Sequence, residues 1–570
     1  MRLLGKFLLA SSIVIASLPA GAAEAPDDTK TSGDPVLNAM VDEMKRSKSD
    51  LRFETHPAPY FAAYYMKEID EISITSCLGS PADIERSKTR TVMPDIRLGD
   101  YDLDSSNPIL SRQNSADQIG VDDDYTAIRR GLWLHTDRDY KFAVRTLEWK
   151  KAFLEANNVP DRLPDMTREE PSVKVNERLT LSADEKALAE EVEKLSKVFT
   201  AYKDLQKSKV TMVLRTNTIW HVNSEGGRVR DSEKKCFLKF YGTAQAEDGM
   251  PIDDYQVLSA RAPGDLPPLA EKLKIASRFA QEVSDTSKAK KAEDYCGPVL
   301  FKGQAAAEFL GQILAPNLGF AEDYVGDESF RNPLKNTLGR KLLPEHMSLH
   351  DNPGLESFAG QTIVGGYRFD DEGMPGQKIT LIENGRLKDF CRSRIPTRHS
   401  RKSNGHSVGG HGIWNVLELS STRPLSPEKL QKRMKEVAKD AGLDYILVIE
   451  KLNDDYQLHE YPSTEMKKAY YFTPSYSRQP SDPIVAYRLY LKDGRRELLR
   501  GLEFNYVSLR TFRDIQAVGD DAAPFIIEPD GRARHLITPS YLIGELDLRP
   551  VKPEHTTLPV VPSPIKESAE

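Results

Sequence analysis

The chain has 570 residues, 39% of them hydrophobic and 29% charged, and a formal net charge of −7. That composition suits a globular protein whose core is large enough to need no disulfide. The acidic balance leaves no basic footprint for nucleic acid or for an anionic lipid surface.

Residues 1–23 read as an export signal. Arg2 and Lys6 form a charged start, Phe7–Leu18 is apolar, and Ala20-Gly21-Ala22 offers a small-residue cleavage site. The apolar run falls short of the ~20 residues that cross a bilayer. The expectation is an exported protein, periplasmic or secreted, with no membrane contact after signal cleavage. Residues 24–34 are polar and broken by Pro and Gly, as a flexible leader is. Pro35–Lys48 has helical spacing, with Val36, Met40 and Met44 on one stripe. Tyr60–Ser80 is aromatic and alternating, which suits strands, and the aspartate-rich Asp95–Asn107 reads as a loop. Tyr125–Asn157 is a long charged helix. Ser182-Ala183-Asp184-Glu185 reads as a capping box that opens a charged surface helix to about Asp204. Thr211–Ala244 alternates again, and the helical, Lys-rich Leu266–Asp294 closes a first α+β domain over residues 35–294.

Residues 295–549 form a second domain, richer in antiparallel strand, and 550–570 is a Pro-rich tail. Asn384-Gly385 joins Lys378–Glu383 to Arg386–Phe390 as a type I′ hairpin, because both turn residues tolerate positive φ. Asp493-Gly494 predicts a second such turn between Val485–Lys492 and Arg495–Leu499. Between them Ser426, Pro427 and Gly442 bound one helix, and the strand Tyr445–Glu450 follows. The fold class is α+β, in two domains.

Cys77, Cys236, Cys296 and Cys391 form no C-x-x-C pair, and their three possible pairings stay open beside free thiols. His346 and His350 have the i,i+4 spacing of a helical metal pair, but Pro344 and Asp351-Asn352-Pro353 favour a strand. A strand would hold them about 13 Å apart. The loop Arg398–Gly412 (RHSRKSNGHSVGGHG) is the most unusual segment, with three histidines, the basic residues Arg398, Arg401 and Lys402, and several glycines. Its backbone amides could grip a carbonyl or a carboxylate. Ser403, Asn404, Gly405 and His406 are therefore the candidate substrate-binding residues. A metal shared by His399, His406 and His411 is the less supported use of the same loop. Phosphate cradles and a serine-nucleophile elbow are absent from the sequence.

Four features in order carry a family resemblance. They are Gly297-Pro298-Val299-Leu300-Phe301 running into an Ala-rich helix, Gly339-Arg340-Lys341-Leu342-Leu343, Asp351-Asn352-Pro353, and Tyr367–Leu387 (YRFDDEGMPGQKITLIENGRL). Together they resemble the C-terminal half of the TldD/PmbA family of metallopeptidase-related proteins, over roughly Cys296–Lys552. The resemblance implies a groove that takes small or unfolded peptides, and a dimer formed with a second copy or a homologue. Catalytic members carry His-Glu-x-x-x-His just after this strand, and a late cysteine. Here the two histidine positions hold Lys302 and Ala307, or Gly303 and Glu308 with a one-residue shift, and the last cysteine is Cys391. The resemblance implies an exported homologue without the zinc motif, with no assigned catalytic residue, metal or cofactor, that binds peptides or supports a peptidase partner. Two alternatives stay open: an active metallopeptidase with other ligands, Glu308 among them, and a cell-envelope interaction protein. Ser403-Asn404-Gly405 resembles the family's Gly-containing loop near the groove.

Overall fold

The computed structural model describes residues 33–52, 56–106, 116–158, 162–319, 332–453, 474–527 and 532–552. The expected export signal lies outside the described residues, as do 553–570 of the expected tail. Among the described residues no helix is long and apolar enough to cross a membrane.

Helix α1 (Pro35–Asp50) starts at Asp34, whose carboxylate accepts the amides of Val36 and Leu37 at 3.0 Å. The same carboxylate accepts Trp220 Nε1 at 3.1 Å and pairs with Arg230 at 2.6 Å. The expected flexible leader is thus corrected at its last residue, which is an anchored cap. Strands β1 (Phe61–Ser76) and β2 (Asp83–Arg97) pair antiparallel from Phe61↔Arg97 to Thr75↔Asp83. The strand absorbs Asp95–Arg97, the start of the expected loop. Helix α2 (Tyr125–Asn157) has the expected bounds, capped by Asp124. Helix α3 (Glu185–Lys197) is capped by Asp184, which accepts Ala187 N at 3.1 Å, so the cap lies two residues past the expected Ser182. It gives way to a 3-10 turn at Val198–Ala201. Strands β3 (Leu205–Asn223), β4 (Arg228–Gln245) and β5 (Pro251–Ala260) extend the sheet in the order β2-β1-β3-β4-β5, and α4 (Leu269–Ser287) follows.

Side chains alternate across a sheet, so parity in sequence sorts them by face. Even-numbered residues face the helices. Tyr64, Met66 and Trp220 pack with α1 and α2, while Ile72, Met212, Leu238 and Phe240 pack with α3 and α4. Odd-numbered residues face the second half of the chain: Val213 and Phe237 meet Val364 and Ala533, and Tyr65, Lys67, Glu233 and Lys235 border a small polar cavity there.

The second half holds two larger sheets. Strand β6 (Tyr295–Phe301) leads through Gly303, at φ +59°, into α5 (Gln304–Ile313). Then come β7 (Met347–Asp351), the hairpin β8 (Ile379–Glu383) and β9 (Arg386–Leu387), and β10 (Val416–Ser421). The hairpin turns at Asn384 (φ 48°) and Gly385 (φ 76°), as expected of type I′. Helix α6 (Pro427–Asp440) precedes β11 (Tyr445–Leu452), β12 (Pro483–Tyr490) and β13 (Arg496–Arg500). The expected tight turn at Asp493-Gly494 is wider. Tyr490 N donates to Arg495 O at 2.9 Å, and only Gly494 has positive φ, so residues 491–494 form the loop. Strands β14 (Ala523–Ile527), β15 (Arg534–Thr538) and β16 (Tyr541–Pro550) finish the fold. One sheet runs β16-β6-β11-β12-β13 at its centre, with β6 parallel to β11; the other runs β9-β8-β7-β10-β15-β14. Helix α5 lies between the sheets and is buried from Ala305 to Ile313, its alanines and Phe309 packed with Phe301, Leu349, Leu417 and Tyr541. A helix apolar all round has to be enclosed like this. The architecture is α+β, as expected.

Candidate functional site

Two sheet edges face one cleft. Among the described residues, strand β5 pairs only with β4, and β14 only with β15. Tyr255–Ser259 of β5 and Pro524–Ile526 of β14 line a cleft of about 850 Å³. Consecutive residues line it because a strand edge, rather than a strand face, borders the space. Lys302-Gly303-Gln304, at the junction of β6 and α5, and Glu450 and Lys451 of β11 are also part of the lining.

The polar groups here are cross-linked. Glu308, 1% exposed, accepts Tyr255 OH and Gln304 Nε2 on one oxygen and Leu452 N on the other, the last two at 2.7 Å. It therefore ties α5 to β5 and to β11 and is no surface carboxylate. Lys302 bonds Glu450 at 3.1 Å. Lys451 bonds both Asp254 and Glu282 at 2.8 Å. Burial pushes the Asp254 carboxyl up to about 7, against the pull of Lys451. Burial also works against the Lys451 charge, but the two carboxylates outweigh it and hold the ammonium above its ordinary value.

A hydrolytic zinc needs about three N, S or O ligands and an open position for water. Helix α5 carries no histidine or cysteine. Its one carboxylate, Glu308, would be a single ligand where about three are needed. These residues do not fit the metal that catalytic relatives hold after this strand.

The loop proposed for substrate binding is a packed one, which corrects its expected exposure. Ser403, Asn404 and His406 are 6%, 2% and 0% exposed. The FDDEGMP segment clamps the loop. Asp370 accepts Ser407 N at 2.9 Å, Asp371 accepts Gly409 N at 2.9 Å, and Glu372 accepts Arg394 N at 2.7 Å just before the loop. Tyr367 OH donates to Gly405 O at 2.9 Å. Asn404 accepts Arg392 N at 2.7 Å and donates to Phe390 O at 2.8 Å. The loop also meets the first half: Ser403 N donates to Glu169 at 2.7 Å and Lys402 to Arg168 O at 2.7 Å. None of Ser403, Asn404, Gly405 or His406 lines the cleft.

The structure brings His406 instead to Asp351 and Cys391, with their ligand atoms within 4.8 Å of one another. Burial pushes the Cys391 thiol well above its ordinary value and holds the His406 imidazole below its own. His399 and His411 do not join this group. His350 lies in β7 and bonds Thr380 at 3.1 Å, so the strand expected over His346 and His350 is present at His350. All four cysteines are free. Sequence gave no signal for Lys451 or for the cleft edges, since each depends on pairing partners distant in the chain.

Residues 294–452 match the PmbA/TldA metallopeptidase C-terminal domain. Over that segment the chain is similar to the TldD/PmbA family. A metalloprotease of Methanocaldococcus jannaschii is 31% identical over 101 residues, which are 17% of this chain. The match spans about a fifth of that relative's length, 21%. TldE from Thermococcus kodakarensis superposes with TM-score 0.54 at 14% identity, over 90% of this chain and 99% of that one. A Thermotoga maritima protein solved as a candidate modulator of a DNA gyrase gives 0.56 at 18% identity, over 86% and 96%. These two likenesses establish the TldD/PmbA fold.

Proposed function

We propose that this chain is an exported TldD/PmbA-family protein without the hydrolytic zinc, which binds extended peptides in the cleft and pairs with a second copy or with a homologous peptidase. The observation that carries the reading is the pair of unpaired strand edges, β5 and β14, bordering one cleft. An extended peptide can add to a sheet edge through main-chain hydrogen bonds, while pockets between them take its side chains. The Lys302–Glu450 and Lys451–Asp254–Glu282 groups bordering this space supply charge for the ends of the peptide. Support for the missing hydrolysis is the lack of imidazole and thiolate on α5. Export rests on residues 1–23, and pairing on the family likeness.

The test is a binding titration with unstructured peptides and with the same peptides N-methylated at alternate residues. N-methylation removes main-chain donors but keeps the side chains, so affinity should fall about tenfold or more for one of the two phases of methylation, at about 0.5–1.5 kcal/mol per lost bond. Equal affinity for both phases and for the parent peptide defeats the edge-pairing reading. Peptide hydrolysis that appears on adding zinc and disappears in Glu308→Ala would instead establish an active peptidase with other ligands.

A further inference from the structure

Asp351 at the end of β7, Cys391 beyond β9 and His406 in the loop meet in the interior, each 0% exposed. Cys391 Sγ and His406 Nε2 each lie 3.5 Å from Asp351 Oδ2. His406 Nδ1 lies 2.9 Å from the main-chain oxygen of Asn404 and 3.1 Å from its Oδ1. Both are acceptors; the side-chain amide is oriented by its bonds to Arg392 N and Phe390 O. Nδ1 therefore carries the hydrogen, and in the neutral ring Nε2 has a bare lone pair. That atom is buried and makes no hydrogen bond. It faces a carboxylate oxygen of Asp351 at 3.5 Å. Two lone pairs and a thiol thus converge on one point, their ligand atoms within 4.8 Å of one another.

We propose that Asp351, Cys391 and His406 bind a divalent transition-metal ion, zinc foremost, in a closed structural site. In tetrahedral zinc sites Zn–S is about 2.3 Å and Zn–N and Zn–O about 2.0–2.2 Å, which sets donors roughly 3.3–3.7 Å apart. Two of the three donor separations already have that value. Charge also closes: one carboxylate and one thiolate neutralise a dication, so the interior holds no net charge. The outer contacts are those a ligand set needs. The His406 N–H is fixed by a carbonyl, and the Asp351 oxygens accept Asn415 N and Val416 N at 2.8 Å. Without the ion the Cys391 thiol donates to Asp351; binding breaks that S–H bond, forms the metal–sulfur bond and releases one proton to solvent. An enclosed water or a backbone carbonyl would be the fourth donor. The enclosure leaves no face for a substrate, so the site braces β7 against the loop and is separate from the cleft and its chemistry.

The test uses the full chain, unfolded and refolded under reductant with zinc or with cobalt(II), then dialysed. One metal per chain by elemental analysis, and a thiolate-to-cobalt charge-transfer band in the near ultraviolet, are expected. Cys391→Ser and His406→Gln should each lower metal affinity by at least about tenfold, while Cys236→Ser, which alters the other buried thiol, leaves it unchanged. If Cys391→Ser does not fold, His406→Gln and the wild-type cobalt band decide the matter. A folded wild-type chain without stoichiometric metal, a cobalt complex without the thiolate band, or folded variants that keep the metal each overturn the proposal.

Discussion

At Gly405 a single backbone angle decides between a binding loop and a structural one. Its φ is +72°, and a Cβ there would sit 2.0 Å from Pro375 O. A side chain is excluded both by conformation and by the FDDEGMP segment against which the loop lies. Gly405→Ala should cost about 2–4 kcal/mol, within the range for combined strain and overpacking, read as a lower urea midpoint with unchanged slope. An equal midpoint would mean that the loop yields to the added side chain. Glycine, serine and histidine in one run look like a solvated loop, because composition reports the segment and not what covers it. The cover comes from Asp370, Asp371 and Glu372, some 30 residues earlier, and from Glu169 of the other half. For the same reason no motif spacing announces Asp351, Cys391 and His406.

Elements with local causes were legible, and those with distant partners were not. Helix α2 has a run of helix formers with an Asp cap and falls at its expected bounds, and the Asn384-Gly385 turn has the expected angles. The parallel contact of β6 with β11 joins segments about 150 residues apart, Val299↔Leu447 among its pairs, and no local pattern encodes it. Helix α5 stands between these cases. Its alanines predict close packing, yet its one acid was readable as a ligand or as a surface group. The structure makes it a tie between three elements. Glu308→Ala should then cost about 2–4 kcal/mol, since it removes the acceptor of the buried Leu452 amide and of the Tyr255 hydroxyl, which keeps Gln304 as its donor, and Glu308→Gln should cost less because it keeps an acceptor. Thermal melting of the two variants separates this from a ligand role, which would leave stability nearly unchanged.

Across the whole molecule, the two halves meet on a surface rich in buried ionisable groups. His221 of β3 is held neutral there by burial and by Arg394, down to about 4, with Asp371, Asp95 and Glu225 pulling the other way. His535 of β15 is held down to about 3 by burial and by Lys235. Both folded values lie below the unfolded value of about 6.5, so the unfolded chain binds more protons in between. Stability should fall as pH drops from about 6.5 toward 4, by up to ~1.4 kcal/mol per pH unit for each ring. His535→Gln should show a shallower loss than the parent when melting temperature is followed over that window. Asp254 acts oppositely between about 4 and 7, but it is common to both proteins and cancels in the comparison. Identical slopes would mean that His535 reaches water in the folded state.

The concave placement of β5 and β14 has a consequence for how the protein behaves in a crowded compartment. An unpaired strand edge on a convex surface invites a neighbour's sheet and leads to fibrous association. Here both edges border a space of about 850 Å³. A single extended chain is about 5 Å wide in the pairing direction and can enter such a space. A folded sheet, with its turns and flanking layers, cannot. On the proposed reading, the cleft wall would act as a sieve on shape, leaving the edges open to loose chains at high protein concentration while a folded sheet is kept from them.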